Sequence, residues 1–350
     1  MKRTLILHIG AHRTATSALQ AYLHANFLNL QDKGFFYPYK VRRHLKMMNQ
    51  IFNKKRAPAD VAQDLNARAD SKQNKTIHTI ILSDEDVCMR RDLAPLATFR
   101  KWFDVKVVFT LRRQDTWLES WFFQNIKWQW NKKLSHCTFD EFLEMRKDFH
   151  WIHYDRYLQH LEKLFGQENI ILNVHEKGQM KGGPIETFCD SVGLTDRNGF
   201  TAPAHMNESY SPAISEFMRC LPLDEAPDHY RGVLTTACAR IDKKILGSQK
   251  KQSERLMPPD QRTAVMAEYE AGNRALAQRY FGRDDLFLEP LPAADAPLAK
   301  MELPADSYEL MRSMVAPLIS AIITQHVASE KSAQKADPGS QEKKPAETKT

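Results

Sequence analysis

Residues 10–17 bring one cation, three hydroxyl side chains and a glycine into a short segment. An apolar run at residues 4–9 precedes the segment, and leucines and aromatic residues at helical spacing follow it. A loop that leads from a strand into a helix presents unpaired backbone N–H groups and the positive end of the helix dipole to an anion. The pattern therefore predicts a phosphate-binding loop, whose side-chain ligands would be Arg13, Thr14, Thr16 and Ser17.

The loop departs from the P-loop that binds nucleoside triphosphates. That motif reads G-x-x-x-x-G-K-[ST], and its lysine contacts the β- and γ-phosphates. Here Gly10 is followed at the corresponding positions by Ala15, Thr16 and Ser17, so a threonine occupies the lysine position. A nucleotide kinase or hydrolase stays an alternative, but it lacks its main phosphate ligand. An ordinary strand–turn–helix without a ligand is the other interpretation of the loop.

A second strand-to-helix turn follows the apolar run at residues 105–111. The nearly continuous β-branched and apolar residues are typical of a buried parallel strand. Arg112 ends the run, and Ser120 lies eight residues further on. Alone, each is more simply a solvated surface residue. Together, a guanidinium and a hydroxyl from the following helix suit a dianionic phosphate.

Both loops resemble those of sulfotransferases that use 3′-phosphoadenosine 5′-phosphosulfate (PAPS), in particular the bacterial and Golgi carbohydrate branches. The first loop of that family often reads H-I-G-x-H-K-T-G-T-T-x-L-Q. Residues 8–20 match it with three departures, which are Arg13 for lysine, Ala15 for glycine and Ser17 for threonine. The resemblance implies that residues 13–17 hold the 5′-phosphosulfate and that Arg112 and Ser120 hold the 3′-phosphate. It extends over roughly residues 4–290, with weak motifs after the second loop.

The resemblance implies sulfuryl transfer, which needs a cation at the leaving phosphate and a base for the acceptor hydroxyl. Arg13 is the predicted cation. Glu85 is the predicted base, since it follows a predicted strand and family members often have Ser-x-Glu there. Capping of the next helix by the acids at 84–86 explains Glu85 equally well. His12 is an alternative base or ligand, whereas His8 on the strand is more simply a core histidine.

The order of elements predicts an α/β fold of the P-loop-like, three-layer type. Predicted strands at residues 4–9, 76–83, 105–111 and 169–174 alternate with helical patterns. Such alternation favours a central parallel sheet flanked by helices. Ligands bind such sheets beyond the carboxyl ends of the strands, where both predicted loops lie. The chain becomes mainly helical after residue 200.

We expect a sulfotransferase-like α/β domain at residues 1–290, a helical extension at 291–328 and a disordered tail at 329–350. The tail has no large apolar residue after Val327 and cannot form a core. Four tryptophans could stack on a sugar, although tryptophans at helical spacing more often belong to a core. They are Trp117, Trp121, Trp128 and Trp130.

Composition restricts the partners and the location. The formal net charge of +7 suits an anionic ligand, but no pattern of stacking aromatic residues accompanies the basic stretch at 40–56, so nucleic acid is not expected. A solvated helix face explains that stretch most simply, and an access path for an acidic glycan is another interpretation. The five cysteines are scattered without a C-x-x-C pair, which predicts reduced thiols and no metal site. The longest apolar stretch, at 314–327, contains Pro317 and is predicted to be too short to cross a bilayer.

With no signal-peptide core in the sequence, these observations lead us to expect a cytoplasmic protein without a transmembrane segment. The resemblance implies that it transfers a sulfuryl group from PAPS, the co-substrate, to a hydroxyl of a glycan or glycolipid acceptor by in-line displacement, with no metal required. A degenerate nucleotide-binding protein without activity is the non-enzymatic alternative, which the departures at Arg13 and Ala15 keep open.

Overall fold

A computed structural model of the chain describes residues 2–72, 76–202, 209–246 and 255–336. The chain divides into two compact units. Unit 1 comprises Met1–Trp121, Asp140–Glu208 and Met257–Ala296. Unit 2 comprises Phe122–Phe139, Ser209–Leu256 and Pro297–Thr350.

Unit 1 contains a five-stranded parallel sheet. Its strands are β1 (Thr4–His8), β2 (Phe35–Phe36), β3 (Thr79–Ser83), β4 (Asp104–Leu111) and β5 (Ile170–Val174). The spatial order is β2-β3-β1-β4-β5, so β1 lies at the centre between β3 and β4. In that register Leu5 pairs with Ile80 on one side and with Val105 on the other. The four predicted strands are confirmed, and among the described strands only the two-residue β2 was not predicted.

The α-helices are numbered along the chain. They are α1 (Thr16–Ala25), α2 (Phe27–Asp32), α3 (Leu45–Phe52), α4 (Pro58–Asp70), α5 (Ala94–Ala97), α6 (Gln114–Trp128), α7 (Lys132–His136), α8 (Phe139–Glu144), α9 (Tyr154–Phe165), α10 (Pro184–Ser191), α11 (Pro212–Cys220), α12 (Asp228–Leu246), α13 (Pro259–Phe281), α14 (Ser307–Leu310) and α15 (Ala316–Ala336). Short 3₁₀ turns occupy Pro38–Lys40, Glu85–Met89, Thr98–Lys101, Met145–Asp148, His150–Ile152 and Gln167–Asn169.

Helices cover both faces of the sheet. Val108 of β4 belongs to a buried cluster with Leu23 of α1 and Phe188 of α10. The next residue, Phe109, points to the opposite face because side chains alternate along a strand. Its ring lies 5.1 Å from that of Tyr157 on α9. The predicted three-layer α/β fold is therefore confirmed.

The described part of unit 2 is mainly helical. One continuous helix leads from α14 through a π-helical turn at Met311–Val315 into α15. By length and composition, its segment Ser307–Ser329 could cross a membrane, so the prediction that this apolar stretch is too short is wrong. Pro317 was expected to interrupt this stretch, but the wider π-helical turn lies just before it and the helix continues.

The same helix extends into the segment predicted to be a disordered tail. It ends at Ala336, so residues 329–336 are helical. These residues include alanine, lysine, glutamate and glutamine, which have high helix propensity and can extend a helix without forming a core. The rest of the predicted tail, residues 337–350, lies outside the described residues.

Candidate active site

The loop between β1 and α1 has left-handed backbone at three positions. Gly10, Arg13 and Ala15 have φ values of 44°, 67° and 64°. A Cβ at Gly10 would lie 2.8 Å from Cγ2 of Thr16, so the position requires glycine. Ala15 holds a conformation that costs an ordinary residue about 1–2 kcal/mol and a glycine much less. The loop shape therefore suits the glycine that the resembled family has at position 15.

Hydroxyl groups of the loop have distinct roles. Thr14 Oγ1 donates to the Ala11 carbonyl at 2.6 Å, so this hydroxyl stabilises the loop itself. Thr16 is buried and Ser17 is half-buried at the start of α1. The N-cap residue of α1 is Ala15, and its side chain makes no capping hydrogen bond. A helix start without a side-chain cap offers its first backbone amides to an anion.

The structure brings together three of the predicted phosphate ligands. Arg13 Nε donates to Ser120 Oγ at 2.6 Å. Arg112 Nη1 donates to the backbone carbonyl of Arg13 at 2.7 Å, and Arg112 Nε donates to Thr116 Oγ1 at 3.3 Å. The two loops therefore meet at the carboxyl ends of the adjacent strands β1 and β4.

Positive charge is concentrated at this edge of the sheet. Burial, and then the nearby charge of Arg13, lower the pKa of Arg112 to about 10. His175 directly follows β5, and burial together with the charge of Arg112 lowers its pKa to about 4. The imidazole is therefore neutral at pH 7 beside two guanidinium groups. An anion that binds here would offset the repulsion between the two arginines.

Buried ion pairs fix the start of α6, which carries Ser120. Arg262 of α13 contacts Asp115 and Glu119 of α6, each at 2.6 Å. Nearby, the side-chain amides of Gln114 and Asn273 bond to each other in both directions, at 2.9 and 3.1 Å. Satisfied buried networks of this kind hold helices rigidly, so Ser120 is fixed relative to the sheet.

An acidic cluster follows β3, and one arginine holds it. Arg43 lies 2.7 Å from Asp84 Oδ1, 3.3 Å from Glu85 Oε2 and 2.5 Å from Asp86 Oδ2. Burial raises the pKa of Asp84 to about 6 in spite of the arginine. Burial also opposes ionisation of Asp86, but the close contact with His12 and the charge of Arg43 outweigh it and bring the pKa to about 2.

Glu85 and Asp84 have different roles in the turn that follows β3. Asp84 is the capping residue, and its side chain accepts from the Asp86 amide at 3.3 Å. Glu85 is buried and its Oε2 accepts from Gln20 Nε2, on α1, at 2.5 Å. The carboxylate predicted as the base is thus bonded to the helix that the first loop begins, and helix capping is done by its neighbour.

The two histidines of the first loop motif are both buried. His12 Nε2 lies 3.1 Å from Asp86 Oδ1, and the His12 carbonyl accepts from Trp117 Nε1 at 2.7 Å. His8 Nδ1 lies 2.7 Å from Ser83 Oγ, and burial lowers the His8 pKa to about 4. His8 is therefore a hydrogen-bonded core residue, while His12 connects the first loop to the acidic cluster.

Two residues of this candidate site were not predicted from the sequence. Gln20 is the last residue of the matched motif, which was the available signal for it. Arg43 lies in the basic stretch interpreted mainly as a solvated face, and nothing in its local spacing distinguishes it. Its contacts with the acids span 41 residues or more and depend on the tertiary fold.

The four tryptophans fall into two pairs. Trp117 and Trp121 are buried, as the core interpretation predicts. Trp128 and Trp130, in unit 2, are 39% and 57% exposed. Their rings are stacked, with centroids 5.8 Å apart and an angle of 10° between the planes.

Among the described residues, no group of three or more His, Cys, Asp or Glu side chains is arranged to hold a metal ion.

No family model matches the chain, and no curated protein matches it. Among solved structures, the chain is similar to the crystal structure of a sulfotransferase from Alicyclobacillus acidocaldarius. The identity is 12% and the TM-score is 0.37, over 71% of this chain and 98% of that one. A similarity of this size is too low to support a conclusion about function.

Proposed function

We propose that the protein transfers a sulfuryl group from PAPS to a hydroxyl group of a glycan or glycolipid. The proposal rests on one observation. Arg13 contacts Ser120, and Arg112 contacts the Arg13 carbonyl. These contacts join two strand-to-helix loops on adjacent strands into one cationic site. A ligand with two separate phosphate positions suits such a site better than a ligand with a single anionic group.

In this proposal the backbone amides at the start of α1 hold the 5′-phosphosulfate, and Arg112 and Ser120 hold the 3′-phosphate. The Ser120 oxygen already accepts from Arg13, so its own O–H can donate to a phosphate oxygen. Thr14 would contribute its backbone amide, because its hydroxyl bonds within the loop. A triphosphate is less suitable, since buried Thr16 occupies the position of the P-loop lysine.

Arg13 and Glu85 would carry the chemical step. Glu85 accepts the proton of the acceptor hydroxyl while that oxygen forms a bond to sulfur. The bond between sulfur and the bridging oxygen breaks, and Arg13 stabilises the charge that develops on the bridging oxygen. Gln20 and Arg43 both contact Glu85 Oε2, so they fix the orientation of the base.

Two further features support parts of the proposal. In unit 2, the exposed Trp128 and Trp130 rings offer a flat apolar surface on which a sugar could stack. All five cysteines are free thiols, which favours the reducing cytoplasm.

Isothermal titration calorimetry with adenosine 3′,5′-bisphosphate and with ATP tests the proposal. We expect micromolar binding of the bisphosphate and much weaker binding of ATP. An Arg112→Ala variant should lose the preference, and a Lys46→Ala variant, which changes an exposed charge, should keep it. Tighter binding of ATP would overturn the proposal. Bisphosphate binding without transfer from PAPS to any of a panel of glycans would favour the non-enzymatic alternative.

A further inference from the structure

We propose that unit 2 docks on an anionic lipid surface through α12 and the C-terminal helix. The proposal is independent of the reaction at the sheet edge. It rests on the apolar row, the internal hydrogen bonds and the neighbouring cations of these two helices.

An exposed apolar row runs along the C-terminal helix. Met311, Ile319, Ile323 and Val327 are 53%, 48%, 58% and 40% exposed. They stand at multiples of four residues, so they share one side of the helix. Elsewhere on the same helix, Leu318 is buried together with Met314. The helix is thus packed on one side and presents large aliphatic side chains on another.

The composition of this helix favours lipid over a protein partner. Residues 313–329 contain no Asp, Glu, Lys or Arg on any face, whereas a helix that covers a protein normally keeps charges around the contact. Three of its hydroxyls are bonded within the helix. Ser313, Thr324 and Ser329 each donate to the carbonyl four residues earlier, at 2.6, 2.8 and 2.9 Å. A hydroxyl satisfied in this way loses little when water is removed.

The cations on α12 indicate that the lipid surface is anionic. Arg240, Lys243 and Lys244 are exposed near the end of α12. The acid beside them, Asp242, is buried and accepts from Ser211. Arg240 and Lys244 also line a cavity of about 650 Å³ between α12 and the C-terminal helix. Anionic headgroups attract such a basic segment, and zwitterionic headgroups attract it far less.

The helix would lie in the headgroup region and would not cross the bilayer. Met314 and Leu318 are buried where the helix packs on α12, and a spanning helix would have to leave that packing. If the apolar row inserts only to the depth of one side chain, the packing of the helix on α12 is preserved. Interfacial helices bind lipid in this way, with affinity that depends on both apolar area and charge.

Flotation of the full-length chain with vesicles tests the proposal. We expect it to float with vesicles of phosphatidylglycerol and phosphatidylcholine in equal parts and to remain unbound with phosphatidylcholine alone. The Ile319→Ser/Ile323→Ser variant should lower the partition coefficient by about a hundredfold, because two aliphatic side chains no longer enter the lipid. The Arg240→Gln/Lys244→Gln variant should lower it by roughly 20-fold.

Two control variants separate insertion from loss of the fold. Ile319→Leu/Ile323→Leu should keep the affinity, since it preserves the apolar area. Leu288→Ser/Leu291→Ser removes two exposed leucines of unit 1 and should change nothing. Melting curves establish that each variant is folded.

Absence of flotation with anionic vesicles overturns the proposal. So does flotation that the Ile319→Ser/Ile323→Ser variant retains. A third contrary result is a wild-type dimer in light scattering that the same variant converts to a monomer without any vesicle binding, because a second copy of the chain would then cover the apolar row.

Discussion

Replacement of Glu85 by glutamine separates a catalytic carboxylate from a structural one. The glutamine side chain has nearly the same shape and keeps an oxygen that can accept from Gln20. It loses only the charge that faces Arg43 at 3.3 Å, which is the longest of that arginine's three contacts. We therefore expect a loss of about 1 kcal/mol in the free energy of unfolding.

The expected effect on the reaction is much larger. If Glu85 takes the proton of the acceptor hydroxyl, the amide cannot replace it. Removal of a positioned base slows the chemical step by about 10²–10⁴-fold, or roughly 3–5 kcal/mol of transition-state stabilisation. The affinity for adenosine 3′,5′-bisphosphate should stay unchanged, because Arg112, Ser120 and the first-loop amides are proposed to hold it.

Single-turnover transfer of labelled sulfuryl group from PAPS to the best acceptor of a glycan panel measures the step. Asp84→Asn is the matched control, since Asp84 is adjacent, buried and also paired with Arg43, at 2.7 Å. It should keep the parental rate. A Glu85→Gln protein with the parental rate would refute the assignment. Equal slowing in both variants would refute it as well, because disturbance of the acidic cluster would then explain the loss.

Four further predictions concern the loops and the core beneath them. In calorimetry, Arg112→Ala should weaken binding of the bisphosphate by about 1.5–3 kcal/mol, and Ser120→Ala should weaken it by less. Both variants should bind adenosine 5′-monophosphate almost as well as the parent. Equal losses for both ligands would contradict the 3′ assignment. Arg13→Ala should reduce single-turnover rates more than bisphosphate affinity, since the charge it stabilises develops in the transition state; a larger loss in affinity would show a binding role only. Ala15→Gly should raise the free energy of unfolding in urea by about 0–1 kcal/mol, because relief of the backbone strain at φ 64° exceeds the extra entropy that a glycine loses on folding. A lower free energy of unfolding would contradict the left-handed backbone. Burial keeps His8 neutral in the folded state, which contributes about 3 kcal/mol to the free energy of unfolding. This contribution is present above pH 6.5 and is lost as the pH falls through about 4. His8→Gln should therefore reduce the acid sensitivity of the melting temperature in that range.

The sheet could be predicted because its strands are buried on both faces. β3 and β4 consist of nearly uninterrupted apolar and β-branched residues, which is the pattern of parallel strands covered by helices. β2 has two residues and leaves no such pattern. The continuation of the C-terminal helix past Pro317 could not be predicted. Proline is expected to break a helix, and the π-helical turn that precedes it leaves no recognisable sequence pattern.

The site could be predicted only where it depends on local spacing. Parallel strands end at the same edge of a sheet, so residues that follow β1 and β4 had to lie near one another. Arg112 does contact the carbonyl of Arg13. The positions of the strand ends give no information on Arg43, whose contacts with the acids after β3 bring together segments far apart in the chain. Long-range polar contacts of this kind depend on the packing of whole elements.

The departure from lysine at position 13 has a structural consequence. A lysine ends in a single ammonium group, but an arginine has a separate Nε–H besides the terminal N–H groups. Here the Nε–H donates to Ser120, the hydroxyl proposed for the 3′-phosphate, while Arg112 donates to the Arg13 carbonyl. The cation proposed for the 5′ side is therefore bonded directly to a ligand proposed for the 3′ side. Because Arg13 connects both proposed positions, removal of the side chain that is proposed to bind either phosphate should change the position of the charge at the other.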